Sequence, residues 1–393
     1  MERIGIYTGT FNPIHVGHLR AARYALDALR LDKILMIPDG VTPHKQLPQN
    51  SPSPEQRLHM LRLCLQGEER IEASDLALRR SGVSYTFETV ASVRAMHPEA
   101  KLFLLMGSDM LRGFLQWKEA DQIIKNAAIG IFCRGEKDET RDAQQVKTEL
   151  EAIGAEVTLL ENPVTSISST QLRRMLVFRC ASEFLPAAVE QYIYDNGFYG
   201  STRDYRGLPE EELEKTVIGL LKSNRVKHVL GCRQAAVELA KLYGVNETDA
   251  ARAALLHDVT KALDGPLQLT LCREYGTILD TFSTQNPKTL HALTGSLVAE
   301  RIFGENPAVV DAIRCHTTGK ADMNLLEKII YVADYMEPNR DFPGVERLRE
   351  LAYRDITQAL ALGLQMTLDM LVQQGRDISP ESQQALRYLQ EGR

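Results

Sequence analysis

Two groups of histidines carry the chemistry this chain could perform. The first is His15 and His18, in "TGTFNPIHVGH" (8–18). An apolar run, "RIGIYTG" (3–9), ends in a Gly-Thr turn, and an amphipathic helical pattern follows. Imidazoles three positions apart on a helix lie on one face. A helix N-terminus offers unpaired N–H groups and a positive dipole end, both of which attract anions. With Gly9 letting the backbone approach, the pair is suited to donating hydrogen bonds to a polyphosphate. The second group is spread over helical patterns: His228, the adjacent His257 and Asp258, then His291, His316 and finally Asp334. Any one of these is ordinarily a packed core residue. Their joint order is the signal, because imidazole and carboxylate together are the donor types of metal sites.

The elements that must hold these residues differ between the two ends of the chain. Before residue 200, short apolar runs at 3–9, 33–40, 101–109, 127–135 and 156–163 are bounded by Gly, Pro or Asp and read as buried strands. Helical patterns at 17–30, 55–66, 86–96 and 142–153 lie between them. This alternation predicts βαβ units and a Rossmann-like, doubly wound parallel α/β sheet. After residue 210 the pattern is helical throughout (211–222, 226–243, 247–263, 289–303, 307–316, 322–336, 350–375), which predicts an all-α domain. "YGSTRDYRGLPEE" (199–211) reads as the linker, giving domains 1–200 and 201–393, and "PHKQLPQNSPSPEQR" (43–57) as a long loop. Two domains also suit 393 residues, too many for one ordinary core. A net charge of −6 argues against a nucleic-acid-coating surface. Six scattered cysteines without a CxxC pair suit a reducing compartment. No apolar segment is long enough to span a bilayer and no signal peptide is evident, so the expectation is a cytoplasmic protein with neither membrane nor nucleic-acid partner, compatible with homo-oligomerisation.

The N-terminal stretch resembles the signature of the nucleotidylyltransferase superfamily, whose (T/H)xGH element is here His15-Val16-Gly17-His18. "PHK" (43–45), "SYTFETV" (84–90), "MGSDMLRGFLQWKEA" (106–120), "ISSTQLRR" (167–174) and "VEQYIYDNGFY" (189–199) narrow the resemblance to the nicotinate-nucleotide adenylyltransferases. Two departures occur: the family usually begins GGTFDP, where this chain has Thr8 and Asn12, and its RPG is here "CRGE" around Arg134. The resemblance implies transfer of AMP from ATP to nicotinate mononucleotide, with Mg²⁺ arriving on ATP. No strong base is needed, because the attacking phosphate is already an anion; alignment and charge neutralisation lower the barrier. It further implies that His15 and His18 hold ATP phosphates, that Gly9, Thr10 and Phe11 bind substrate or ATP, and that Ser168, Ser169, Thr170 and Arg173 hold phosphates at a second helix start. Lys45 and Arg134 supply further charge, and Gly107 and Asp109 meet the nucleotide. Trp117, the only tryptophan, stacks on the pyridine ring, beside Tyr85 and Thr86 at the nicotinate carboxylate.

"LLHDVTK", "HALTG", "AIRCHTTG" and "YVADYMEPNRDFPGVERLR" resemble the HD-domain phosphohydrolases and, within them, the YqeK family. That resemblance implies a dinuclear transition-metal site, with iron the first expectation and manganese or cobalt next, held by His228, His257, Asp258, His291, His316 and Asp334. Lys261 and Arg340 become candidate phosphate contacts, and symmetrical hydrolysis of diadenosine tetraphosphate the expected activity. The alternatives keep both folds: nicotinamide mononucleotide or pantetheine phosphate as adenylyl acceptor, and an HD half that acts on another nucleotide or serves as a regulatory module without turnover.

Overall fold

The computed structural model describes residues 1–41, 47–48, 50–80, 82–133, 137–161 and 167–392. The chain divides into two compact units, Met1–Thr202 and Arg203–Arg393. The first is built on six parallel strands: β1 (Arg3–Gly9), β2 (Lys33–Pro38), β3 (Ile71–Ala73), β4 (Lys101–Gly107), β5 (Ala128–Cys133) and β6 (Val157–Glu161). Their order is β3-β2-β1-β4-β5-β6, the doubly wound Rossmann-like arrangement expected from the alternating pattern. β5 is buried at every position and β2 and β4 nearly so, as a parallel sheet covered on both faces requires. Around the sheet run α1 (Val16–Ala28), α2 (Pro54–Cys64), α3 (Thr86–Met96), α4 (Ala120–Asn126), α5 (Lys137–Ala152), α6 (Ser169–Val177) and α7 (Ala187–Asp195).

Strand order reverses between β1 and β4, and a crevice opens beyond their carboxyl ends. Both site-bearing turns leave from there, after Gly9 and after Gly107. The five-strand expectation misses β3, whose three residues are too few to leave a periodic signal. The strand read over 101–109 stops at Gly107, and Ser108–Gln116 forms a 3₁₀ segment carrying Asp109. The loop read over 43–57 ends earlier, because Ser53 caps α2 with its hydroxyl and Pro54 starts the helix.

The second unit is helical, with α8 (Glu210–Leu220), α9 (Ser223–Tyr243), α10 (Glu247–Leu256), α11 (Gly265–Glu274), α12 (Thr281–Gln285), α13 (Leu290–Arg301), α14 (Pro307–Cys315), α15 (Leu325–Met336), α16 (Val345–Ala352), α17 (Ile356–Gln373) and α18 (Pro380–Gln390). α10 packs on α9, α14 and α15. Its small residues Ala250, Ala251, Ala253 and Ala254 are buried and let these helices approach closely. Two helical readings are corrected. The helix expected over 247–263 ends at Leu256, and the chain continues in three-residue turns, Val259 N–H donating to Leu256 O and Lys261 N–H to Asp258 O. The helix expected over 350–375 is two helices, because the Asp355 side chain accepts from the N–H groups of Thr357 and Gln358 and starts α17 afresh. α11, α12, α18 and most of α16 lie outside the helical patterns read from the sequence. All six cysteines are buried and free. Among the described residues no helix is long and apolar enough to cross a membrane.

Candidate active sites

The crevice at the strand-order reversal is a cleft of about 450 Å³, in the range of small-ligand sites. Gly9, Thr10, Phe11, His15, His18, Tyr85, Thr86, Gly107, Asp109, Trp117, Ser168, Ser169, Thr170 and Arg173 all line it. Lys45 and Arg134, the other two residues expected here, lie outside the described residues. His15 is the N-cap of α1 and His18 its third residue. Their rings lie 3.8 Å apart. The His15 backbone N–H donates to His18 Nδ1 at 3.3 Å, so the proton of a neutral His18 ring belongs on Nε2, where it forms a donor. The turn's left-handed residue is Phe11 (φ 44°), not Gly9. Its buried ring stands edge-on to Tyr7 and His18, 5.6 and 5.2 Å away.

The serines of "ISST" have structural work as well. Ser168 caps α6, accepting from Gln171 N–H, and Ser169 Oγ donates to Pro13 O at 3.1 Å. Arg173 donates to Asn12 O at 2.7 Å and to Thr170 Oγ1 at 3.0 Å. α6 is thereby laced to the turn after β1. Trp117 faces the cleft and packs on core Phe114 at 5.3 Å, so it combines the core and ligand-wall readings. Tyr85 is the N-cap of α3 and Thr86 its first residue.

Three residues here went unanticipated. Arg57, fully buried, donates to Thr10 O and Asp39 O at 2.6 Å and to Gly40 O at 3.0 Å, tying the ends of β1 and β2 together. Asp39 lines the cleft, and burial pushes its carboxyl up to about 6 against the pull of Arg57. Lys118 also lines the cleft, its ammonium 4.3 Å from the Tyr85 ring centroid, with no ion pair among the described residues. The only sequence signal for Lys118 is its place beside Trp117, and for Asp39 its place at a strand end.

In the second unit the six expected ligands converge from five places: α9 (His228), the turn after α10 (His257, Asp258), α13 (His291), the end of α14 (His316) and α15 (Asp334). All but Asp334 are buried. His228 Nε2 lies 3.0 Å from Asp334 Oδ1 and 3.3 Å from His257 Nε2. His257 Nε2 lies 3.5 Å from Asp258 Oδ2, and His291 Nε2 3.5 Å from Asp258 Oδ1. Two ligand sets result, His228–His257–Asp334 and His257–Asp258–His316, sharing His257. His291 belongs to neither and adjoins the second through Asp258. The Nδ1 atoms of His257, His291 and His316 donate to the carbonyls of Ala254, Lys288 and Ile313 at 2.6, 2.9 and 2.7 Å, which leaves their Nε2 atoms as inward-facing donors to a cation.

The two carboxylates are held ionised, which suits a cation, whereas His257 carries a proton that must leave before its Nε2 can ligate one. Burial resists ionisation of Asp258 and Asp334, but the His257 charge and the His228 hydrogen bond hold both carboxyls well below their usual range. Burial also opposes charge on His257, yet Asp258 and Cys232 keep it well above the usual histidine value. Burial and the His257 charge push His316 down to about 4, and burial with Lys261 depresses His291. Asp258 Oδ1 is buried without a hydrogen-bond partner among the described residues, an orphaned oxygen that a divalent ion would satisfy. Both expected phosphate contacts touch the cluster, Lys261 Nζ at 2.7 Å from His291 Nε2 and Arg340 at 2.9 Å from Asp334 Oδ1. Arg225 pairs with Asp258, and Glu337 with His228 at 3.2 Å; neither was anticipated. Each sits three residues from an expected ligand on or beside its helix, a same-face spacing that could have revealed them.

Comparison with known proteins separates the chain in the same way. A cytidylyltransferase-like family profile matches residues 6–175 and an HD-domain profile residues 225–339. A probable nicotinate-nucleotide adenylyltransferase of Dictyoglomus thermophilum is 34% identical over 198 residues, 50% of this chain and 99% of the relative. A symmetrical bis(5'-nucleosyl)-tetraphosphatase of Halalkalibacterium halodurans is 40% identical over 163 residues, 41% of this chain and 87% of the relative. A crystal structure of a predicted HD superfamily hydrolase involved in NAD metabolism, from Clostridium acetobutylicum, shares 34% identity, covering 47% of this chain and 99% of that one with a TM-score of 0.46. The chain is therefore a fusion whose N-terminal part belongs to the nicotinate-nucleotide adenylyltransferase family and whose C-terminal part belongs to the HD-domain family that includes the symmetrical bis(5'-nucleosyl)-tetraphosphatases.

Proposed function

We propose that the chain is a bifunctional enzyme of nucleotide metabolism with domains 1–200 and 201–393. In the first domain the phosphate oxygen of nicotinate mononucleotide forms a bond to the α-phosphorus of ATP. The α–β anhydride bond breaks, pyrophosphate leaves with the electron pair, and deamido-NAD remains. The observation that carries this reading is the gathering, in one cleft at the strand-order reversal, of the His15/His18 pair, the α6 start with Arg173, Trp117 and Thr86. His18 Nε2–H and the α1 N-terminus supply donors for phosphate oxygens. Lys45 and Arg134 are assigned the remaining charge, with Mg²⁺ carried on ATP. Trp117 is the wall for the pyridine ring. The α3 N-terminus, Thr86 and the Lys118 ammonium favour a carboxylate over a neutral amide. The test is pyrophosphate release and dinucleotide product with ATP and either nicotinate or nicotinamide mononucleotide. A higher kcat/KM for the acid is expected, and equal values overturn the assignment.

In the second domain the substrate is diadenosine tetraphosphate or a related dinucleotide. Divalent ions held by His228, His257, Asp258, His291, His316 and Asp334 would lower the pKa of water and neutralise charge on the anhydride. Arg225, Lys261 and Arg340 ring the cluster and are suited to binding phosphate oxygens. Water oxygen bonds to one of the two inner phosphorus atoms and loses a proton, the central P–O–P bridge breaks with its electron pair going to the departing half, and both halves are released as ADP. The mixed imidazole–carboxylate set favours iron, manganese or cobalt over magnesium. Incubation of diadenosine tetraphosphate with the protein and Fe²⁺, Mn²⁺ or Co²⁺ should yield ADP alone. ATP plus AMP would exclude the symmetrical cut, and no hydrolysis with any of the three ions would exclude the reading.

A further inference from the structure

His228 differs from the other three histidines in what holds its outer nitrogen. His257, His291 and His316 each lean on a neutral backbone carbonyl. His228 Nδ1 instead meets Glu337 Oε1 at 3.2 Å. Glu337 is buried at the end of α15, its side chain 2% exposed. Its other oxygen, Oε2, accepts from Asn339 N–H at 2.7 Å and from Asn339 Nδ2 at 2.9 Å. Asn339 Nδ2 also donates to Lys227 O on α9, and Arg349 holds the carbonyls of Met336 and Glu337, each at 2.9 Å. The carboxylate fits because α9 carries a glycine one turn beyond His228. A Cβ on Gly231 would overlap Glu337 Oε2 and come within 2.8 Å of Asn339 Nδ2.

We infer that Glu337 is a positioning residue that makes His228 the strongest imidazole donor of the cluster, and that Gly231 is the recess that admits it. A carboxylate at the outer nitrogen of a ligand histidine fixes the tautomer and ring orientation and raises the basicity of the inner nitrogen more than a carbonyl does. The inference rests on the metal reading proposed above. The test is Co²⁺ affinity by equilibrium dialysis, with the visible absorption of the Co²⁺ protein, on the full-length chain. Removing such a partner typically weakens metal affinity about 10–100-fold. Gly231→Ala is expected to show that loss with an altered Co²⁺ spectrum. Glu337→Gln, which keeps an acceptor at Nδ1, is expected to lose less. The double variant should be no weaker than Gly231→Ala, because both act through one contact. Adenylyltransferase activity and helical circular dichroism serve as folding readouts. Wild-type affinity and spectrum in both single variants would overturn the role of Glu337 alone. Failure of the wild type to bind Co²⁺ would overturn the metal reading and this inference with it.

Discussion

Single residues in the N-terminal cleft divide into those that shape it and those whose chemistry is left for a ligand. Phe11, Ser168 and Ser169 shape it: their side chains pack or hydrogen-bond within the protein. Lys118 is of the other kind, a cation over Tyr85 with no carboxylate paired to it among the described residues. Charge-assisted hydrogen bonds contribute roughly 1.5–3 kcal/mol when sheltered. Lys118 is exposed, so a value near the lower end applies, about 1.4 kcal/mol or tenfold. Lys118→Met is thus expected to raise KM for nicotinate mononucleotide about tenfold, leave kcat nearly unchanged, and leave KM for the nicotinamide form unaltered. The contact is equal in ground and transition states, which is why it acts on KM. Steady-state kinetics with both acceptors measure this; an unchanged ratio would assign acid recognition to the α3 terminus alone.

At the scale of elements, the cleft depends on how the ends of β1 and β2 are joined. Arg57, projecting from α2, satisfies three carbonyls there. Arg57→Leu strands them, at roughly 1–3 kcal/mol for each buried acceptor, so a loss of about 4 kcal/mol or more is expected in a urea melt of the first unit. Arg57→Lys should recover only part, since one ammonium cannot reproduce the planar fork. Asp39 adds a pH dependence of definite sign. Its folded-state pKa of about 6 lies above the ordinary aspartate value of 3.8, because burial disfavours the charged form. Stability from its protonated form is therefore complete below pH 4 and lost as pH rises through 6. Asp39→Asn should match wild type near pH 4 and exceed it above pH 6, by on the order of 2 kcal/mol. Melts at pH 4, 5, 6 and 7 check this; a constant difference would mean that the carboxyl titrates normally.

At the scale of the molecule, two compact units each carry a candidate site of different character: a ligand-sized cleft in a parallel sheet, and a histidine–carboxylate cluster among helices. His257→Ala removes the ligand shared by both sets and should abolish bound transition metal and dinucleotide hydrolysis, while adenylyl transfer stays within a few-fold of wild type. His18→Ala should lower adenylyl transfer by on the order of 10²–10³ and leave metal content unchanged. Metal analysis and both assays on the three proteins decide it, and loss of both activities in either variant would mean that the sites are coupled. The fold class was legible in the sequence, because hydrophobic period reports locally which face an element buries, and the candidate residues that gather in the cleft and the cluster could be named from it, because His-x-x-His after a strand or an adjacent His-Asp within a helical run is a short-range pattern. β3 was not legible, being only three residues long, nor was the end of α10, where the helical period continues although the backbone loosens into turns. Partner choice among buried polar groups was not legible either. Arg57 finds Thr10, 47 positions away, and Glu337 finds His228, 109 away. The sequence by itself determined which residue types were available and roughly which elements carry them. Only the tertiary structure decided which donor meets which acceptor, because a buried charge is satisfied by groups that packing brings from remote segments, and no local period encodes that distance.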